Sequence, residues 1–425
     1  MGRLLLPPRY SAEFVMAMIA MLLFGALDMI RGVVAPTLLH QFGLDFTALG
    51  LLLSASSSGY LISSFISGFL VDHWGLKVTL LVGNILLLIG VGGTIFSNGY
   101  LMLTLSFLLS GLGNGTMEIG ANSIVPYVAD EAQSRYFNVL HATYGIGATF
   151  SPLIAGFSLL AWKSWKLPYI GVLVVLVLIL VFSLFLRFPS KELLSRQRHA
   201  VDKGQSVAAL PAMGPVEVPE VQAVKVTSET TVRELVRRVS LYLLLTSITL
   251  YVIAEVGFSN WLPTLMHVAR HMSTDAGAAY LTGFYFLYTI GRFAGSIFVH
   301  RVGSGRSVVI SAAIAFFVTG FGLFLPGNWS YLLIMAGLFF GIIFPTISSM
   351  AAENYPQRTG TVLGFLFAGA GFGATLSSWI IGRASDVWGI TVGFSVVLIG
   401  LFVTALTAGL FPMVRARERR HVKLL

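Results

Sequence analysis

The chain has 425 residues, 56% of them hydrophobic and only 11% charged, against ~25% charged in a soluble globular protein. It contains no cysteine, which excludes disulfides, thiolate metal sites and a cysteine nucleophile. The formal charge of +9 does not point to nucleic acid, because the basic residues cluster between long apolar blocks.

Residues 15–27, 101–117, 170–186 and 308–325 carry no charge at all. Runs of this kind suit the ~30 Å hydrocarbon core of a bilayer. They lack the period-two alternation of a membrane barrel, so the spans are expected to be helices. In chain order the first six fall at 12–39, 46–72, 76–97, 100–128, 134–160 and 167–188. Residues 1–10 are short, basic and proline-containing, and the apolar run after them is too long for the core of a cleaved signal peptide.

Between 189 and 238 the composition turns to Pro, Gly, Ser and mixed charge. This stretch reads as a flexible linker, and its end, from Thr231 to Arg238, has the spacing of a surface amphipathic helix. Six further spans follow at 239–267, 276–300, 305–325, 329–353, 359–384 and 390–414. Lys163, Lys166 and Arg270 fall on one side of this layout, and Arg31, Arg292 and Arg383 lie within or at the ends of spans. Every other lysine and arginine falls on the opposite side, with the termini and the linker. That asymmetry places both termini in the cytoplasm and the protein in the cell membrane.

The two sets of six spans are copies. Pro36-Thr-Leu-Leu-His40 at the end of span one returns as Pro263-Thr-Leu-Met-His267 at the end of span seven. Each is preceded eight residues earlier by a lone acid, Asp28 or Glu255. Gly145-Ile-Gly-Ala-Thr-Phe-Ser151 matches Gly371-Phe-Gly-Ala-Thr-Leu-Ser377 at an offset of 226, and Tyr60, Ile62, Phe65 and Gly75 match Tyr288, Ile290, Phe293 and Gly303 at 228. A repeated half is a common build of secondary transporters. The expected fold is an all-α membrane protein of twelve transmembrane helices. They form two pseudo-symmetric six-helix bundles, 1–188 and 239–425, joined by the linker at 189–238.

Gly68-Phe-Leu-Val-Asp72-His-Trp-Gly75-Leu-Lys77 resembles the loop signature between spans two and three of the major facilitator superfamily, and Gly295 to Arg306 is a weaker echo between spans eight and nine. The likeness covers nearly the whole chain. Four segments are similar to the fucose:proton symporter and glucose-permease-like branch. They are Gly111-Leu-Gly-Asn-Gly-Thr-Met-Glu118-Ile-Gly-Ala-Asn122, Asn138-Val-Leu-His141-Ala-Thr-Tyr144-Gly145, Tyr251-Val-Ile-Ala-Glu255-Val-Gly-Phe-Ser-Asn260-Trp261 and Gly341-Ile-Ile-Phe-Pro345-Thr. The resemblance implies a carrier working by alternating access, with spans one, four, seven and ten lining its cavity.

An ionisable group within a span costs about 2.5–3.5 kcal/mol on insertion scales, so each requires a reason. Glu118 and Asn122 stand four apart on one helix face. Either they bind and couple, or they tie span four to a neighbour; the resemblance puts the proton-linked acid at Glu118. Asp28 and Arg31 are three apart and can pair. The resemblance makes Asp28 a second titrating acid, but a permanent Arg31 partner departs from the branch pattern and would blunt proton exchange there. Glu255 is a third candidate for coupling and also for solute binding, beside Asn260 and Trp261. Trp261 reads equally as an interfacial belt residue. His141 lies where the branch carries a solute-binding Gln, with Tyr144 one turn on. Arg292 either meets an anionic group or serves the scaffold.

Gly68, Asp72, Gly75, Lys77, Arg301, Arg306 and Asp386 are assigned to gating or helix-end scaffolding. No nucleotide loop and no metal-ligand spacing occurs, so neither an enzyme, a metal nor a cofactor is expected. The partners expected are the bilayer and a small polar solute, a sugar first, carried by a monomer with H+ as coupling ion and Na+ coupling or an uncoupled carrier as the alternatives. Two other functions stay open. One is efflux, since Gly147 to Gly156 partly resembles an antiporter element although Ser151 and Ala155 replace two of its glycines. The other is a non-transporting solute sensor.

Overall fold

The computed structural model describes residues 11–128, 133–186, 188, 235–355 and 359–424. The linker expected at 189–238 lies outside them except for 235–238, as does most of the amphipathic segment before span seven. The first half comprises α1 (Ser11–Gln41), α2 (Phe46–Trp74), α3 (Leu76–Phe96), α4 (Tyr100–Val128), α5 (Gln133–Trp162) and α6 (Leu167–Phe185). The second comprises α7 (Val239–Arg270), α8 (Thr274–Val302), α9 (Ser304–Phe324), α10 (Leu332–Asn354), α11 (Thr359–Trp388), the short α12 (Ile390–Phe394) and α13 (Val396–Leu424). α12 and α13 together make the twelfth crossing.

Among the described residues, ten helices are long and apolar enough to cross a membrane on composition alone, and α4 and α8 are not among them. The reason is visible in their sequences. α4 carries Asn114, Glu118 and Asn122, and α8 carries Arg292 among tyrosines and threonines. Helices that need neighbours to shield polar groups are where a polar pathway is expected.

The repeat is reproduced in the packing. α1 packs on α5, α2 and α3 on α4, and α3 on α6; likewise α7 packs on α11, α8 and α9 on α10, and α9 on α13. Close crossings recur as well. A Cβ on Gly111 of α4 would collide with the Ser56 carbonyl of α2, and one on Gly337 of α10 would collide with the Phe284 carbonyl of α8. The turns match too. Gly75 joins α2 to α3 at φ +85°, and Gly303 joins α8 to α9 at φ +90°, a region that glycine enters without a Cβ penalty.

Between the halves, α2 packs on α11, α5 on α8, and α1 on α7. The face bearing the end of α13 is called here the terminal face, and the opposite one the distal face. At the distal face the twin pentapeptides meet, with the His40 and His267 rings edge to face at 6.1 Å. There Gly32 of α1 abuts the Ser259 carbonyl of α7, and Gly156 of α5 abuts Ala278 of α8. Toward the terminal face, Gly68 of α2 and Gly364 of α11 have nothing within 4 Å of a built Cβ. The close backbone contacts between the halves at Gly32, Gly50 and Gly382 lie at the distal face.

Candidate functional site

Three acidic side chains lie midway along the spans, each bound by a tyrosine. Glu118 on α4 accepts a hydrogen bond from Tyr60 Oη of α2 at 2.5 Å. Asp28 on α1 accepts from Tyr144 Oη of α5 at 3.3 Å and pairs through its other oxygen with Arg31 Nη1 at 3.0 Å. Glu255 on α7 accepts a short hydrogen bond from Tyr288 Oη of α8. That same phenol oxygen accepts from Arg292 Nη2 at 2.6 Å, and the guanidinium lies 4.7 Å from the Tyr288 ring centroid.

The first-half pairs are joined by an aromatic bridge. Phe24 of α1 stacks on Tyr60 at 5.7 Å and meets Tyr144 edge-on at 5.1 Å. Arg31 also lies 5.7 Å from the Phe107 ring centroid of α4. Its Nη2 is buried without a hydrogen-bond partner among the described residues. The carboxylate thus holds one end of this guanidinium while aromatic carbon holds its face.

Arg292 and His141 are both accessible although they lie deep along α8 and α5. Polar groups accessible in mid-span are expected to face water rather than lipid. Asn122 is one turn from Glu118, and its Oδ1 is buried with no partner among the described residues.

Two expected solute contacts sit elsewhere in this conformation. Trp261 is fully buried and tilts against Phe46 of α2 at 6.1 Å. Asn260 Nδ2 donates to Ser378 Oγ of α11 at 2.8 Å. Both belong to the closed distal contact between the halves, and Trp261 has no open face there. Sequence reasoning missed Tyr60, Tyr288 and Phe24 as site residues. The signal was available for two of them, because Tyr60 and Tyr288 are repeat-equivalent.

The scaffold residues divide between the faces. Lys77 Nζ at the start of α3 donates to the carbonyls of Leu184 and Leu186 at 3.0 and 3.2 Å, covering orphan carbonyls at the end of α6. Gly68, Asp72 and Gly75 close α2 at the terminal face, and Arg301 and Arg306 are exposed on either side of the Gly303 turn. Asp386, by contrast, sits at the distal end of α11 and accepts hydrogen bonds from the first turn of α2.

The sequence matches the Major Facilitator Superfamily over residues 16–378, and again over 280–424. Among named relatives it is 20% identical to the "Protein TsgA homolog" of Buchnera aphidicola over 380 residues, 89% of this chain and 88% of the relative. It is 23% identical to the "Cis,cis-muconate transport protein" of Acinetobacter baylyi over 429 aligned positions, 97% and 95% of the two chains. Among solved structures, a D-xylose-proton symporter superposes with a TM-score of 0.75 at 15% identity, covering 94% of this chain and 96% of its own. A bacterial homologue of the lysosomal transporter Spinster, solved inward-facing and occupied, gives 0.75 at 12% identity, covering 96% and 98%. The symporter FucP, solved outward-facing, gives 0.58 at 19% identity, covering 95% and 99%. With this match over most of the chain and a helical fold whose halves repeat, the chain belongs to the Major Facilitator Superfamily: it is a membrane transporter of small-molecule solutes, not an enzyme.

Proposed function

We propose that this transporter is a symporter that moves a small polar solute, a sugar in the first instance, together with a proton taken up at Glu118. The observation that carries this reading is the charge balance of the cavity. Asp28 is matched by Arg31, and Glu255 is joined to Arg292 through Tyr288. Glu118 is bound by a neutral phenol. An unmatched charge at mid-span is costly, and one proton cancels it. The coupling step then consists of loading Glu118 on one side and unloading it on the other, with a neutral solute travelling in the loaded form.

The solute is expected to meet Asn122 Oδ1, His141 and the Arg292–Tyr288–Glu255 group. These offer the mixture of donors and acceptors that hydroxyls require. The terminal face is the cytoplasmic one in this reading, as the distribution of basic residues expects, so the conformation is open inward. The higher TM-score with the inward-facing Spinster homologue than with outward-facing FucP, despite lower identity, agrees. The carrier acts as a monomer, each chain holding a complete cavity.

One observation favours a second solute class. Arg292 is accessible beside His141, and the Acinetobacter relative is named for cis,cis-muconate, a carboxylate. A carboxylated solute would take the guanidinium in place of Tyr288. Proteoliposomes with an internal pH dye, offered hexoses, pentoses, amino sugars and organic acids, separate these readings. Acidification with a neutral sugar supports the first, and acidification with an organic acid alone supports the second. Labelled sugar entering without acidification would contradict proton coupling and turn attention to Na+.

A further inference from the structure

The end of α2 reads Gly68-Phe-Leu-Val-Asp72-His-Trp74-Gly75, and the end of α11 reads Gly382-Arg-Ala-Ser-Asp386-Val-Trp388-Gly389. Glycine, aspartate, tryptophan and glycine fall at the same four places in the two octapeptides. Both close a long helix, and both last glycines sit at positive φ, +85° and +84°. α2 and α11 are partners across the halves and run in opposite directions, so the two octapeptides lie at opposite ends of one antiparallel pair.

At the distal end the α11 copy is engaged. A Cβ on Gly382 would collide with the Phe46 carbonyl, and one on Gly50 of α2 would collide with the Ser378 carbonyl of α11. The backbones therefore touch there. Asp386 Oδ1 accepts from the Phe46 amide at 2.9 Å and Oδ2 from the Thr47 amide at 2.7 Å, and Thr47 Oγ1 donates to Oδ2 as well. These amides belong to the first turn of α2, where no intrahelical acceptor exists and where the helix dipole favours an anion. The cis cap, Asp45, is occupied with Ala48 N at 2.6 Å. At the other end of the pair, Gly68 has nothing within 4 Å of a built Cβ.

We propose that Asp386 is a latch of the distal face. It holds the second half onto the first turn of α2 while that face is closed, and it must let go of α2 before the face opens. The carboxylate and the amides belong to opposite halves, so these hydrogen bonds exist only while the halves meet distally. The latch is water-accessible, so water replaces the lost bonds and the release stays reversible on a transport timescale. The inference rests on alternating access but not on the identity of the solute or the coupling ion.

The test needs neither. The chain has no native cysteine, so Asn98→Cys and Asn328→Cys, exposed positions between α3 and α4 and in the 3-10 turn before α10, can be spin-labelled directly. Pulsed dipolar spectroscopy without solute should give a dominant short separation in the parent. Asp386→Ala should add a longer separation, moving the ratio of open to closed distal faces by on the order of tenfold, the scale of a charge-assisted hydrogen bond. Thr47→Val removes only the hydroxyl contact and should give a smaller shift in the same direction. Asp386→Asn, which keeps one acceptor oxygen, should fall between, and it serves as the readout should Asp386→Ala not fold. An unchanged distance distribution in folded Asp386→Ala, or in Asp386→Asn and Thr47→Val together, overturns the proposal. Failure of proton coupling in the dye assay would leave this result untouched.

Discussion

Tyr60 and Tyr288 hold equivalent places in the two halves, on α2 and α8, yet they bind acids from different helices. Tyr60 reaches Glu118 on α4, whereas Tyr288 reaches Glu255 on α7 and takes Arg292 on its other side. The position on α10 that corresponds to Glu118 is Phe344, and the one on α2 that corresponds to Arg292 is Ser64. One duplicated tyrosine has thus been given two electrical settings. The second half is a matched acid–phenol–cation chain that can hold its charges through the cycle. The first half has the matched pair Asp28–Arg31 and, through Phe24 and the tyrosines, a second acid with no cation bonded to it among the described residues. The difference teaches where exchange of a proton changes net charge and where it would only break a pair.

The largest expected effect tests the matched pair. Asp28→Asn leaves the Arg31 guanidinium, already short of partners, without its carboxylate. Breaking a buried pair on one side costs about 3–5 kcal/mol, so the detergent-solubilised variant should melt well below the parent. Asp28→Asn with Arg31→Met should recover most of the loss in the same melting assay. If the single variant melts like the parent, Asp28 is not structurally paired and becomes a coupling candidate again.

A smaller effect should separate the two tyrosines. Tyr288→Phe cuts the link between Glu255 and Arg292 and should weaken solute binding by roughly tenfold, the scale of a hydrogen bond to a charged group, while uptake stays proton-driven. Tyr60→Phe should instead reduce accumulation against a gradient and leave solute affinity near the parent's. Titrating binding and accumulation in both variants sharpens the comparison; the reverse pattern would exchange the roles assigned to the halves.

The smallest expected effect concerns Asn260. Asn260→Ala removes its bond to Ser378 across the closed distal contact, worth about 1 kcal/mol. Solute affinity measured from the terminal side should hardly move. A large drop would bring Asn260 back among the solute contacts.

Much of this organisation is legible in the sequence because the membrane leaves little choice. Long apolar runs must be helices, and the nearly equal offsets of Pro36–His40 with Pro263–His267 and of Tyr60 with Tyr288 reveal the duplication before any coordinates. The acids are conspicuous for the same reason, being costly where they stand. What the sequence does not carry is which polar group meets which. Tyr60 and Glu118 are 58 residues apart, and their contact depends on the close crossing of α2 and α4 at Gly111. The Asp28–Arg31 pair could be expected because three-residue spacing within a helix fixes it locally. Trp261 shows the opposite case. An aromatic next to an acid reads as a solute platform, but its burial against Phe46 depends on whether the distal face is open or shut.

The proposed proton coupling rests most heavily on Glu118, and one measurement addresses it directly. Glu118→Gln keeps the shape and an acceptor for Tyr60 but cannot exchange a proton. In proteoliposomes carrying an internal pH dye, solute addition should acidify vesicles holding the parent and leave those holding Glu118→Gln unchanged. Labelled solute should still exchange through the variant when its concentration is equal on both sides. Acidification by Glu118→Gln at the parent's rate would contradict the account and remove Glu118 from the coupling step.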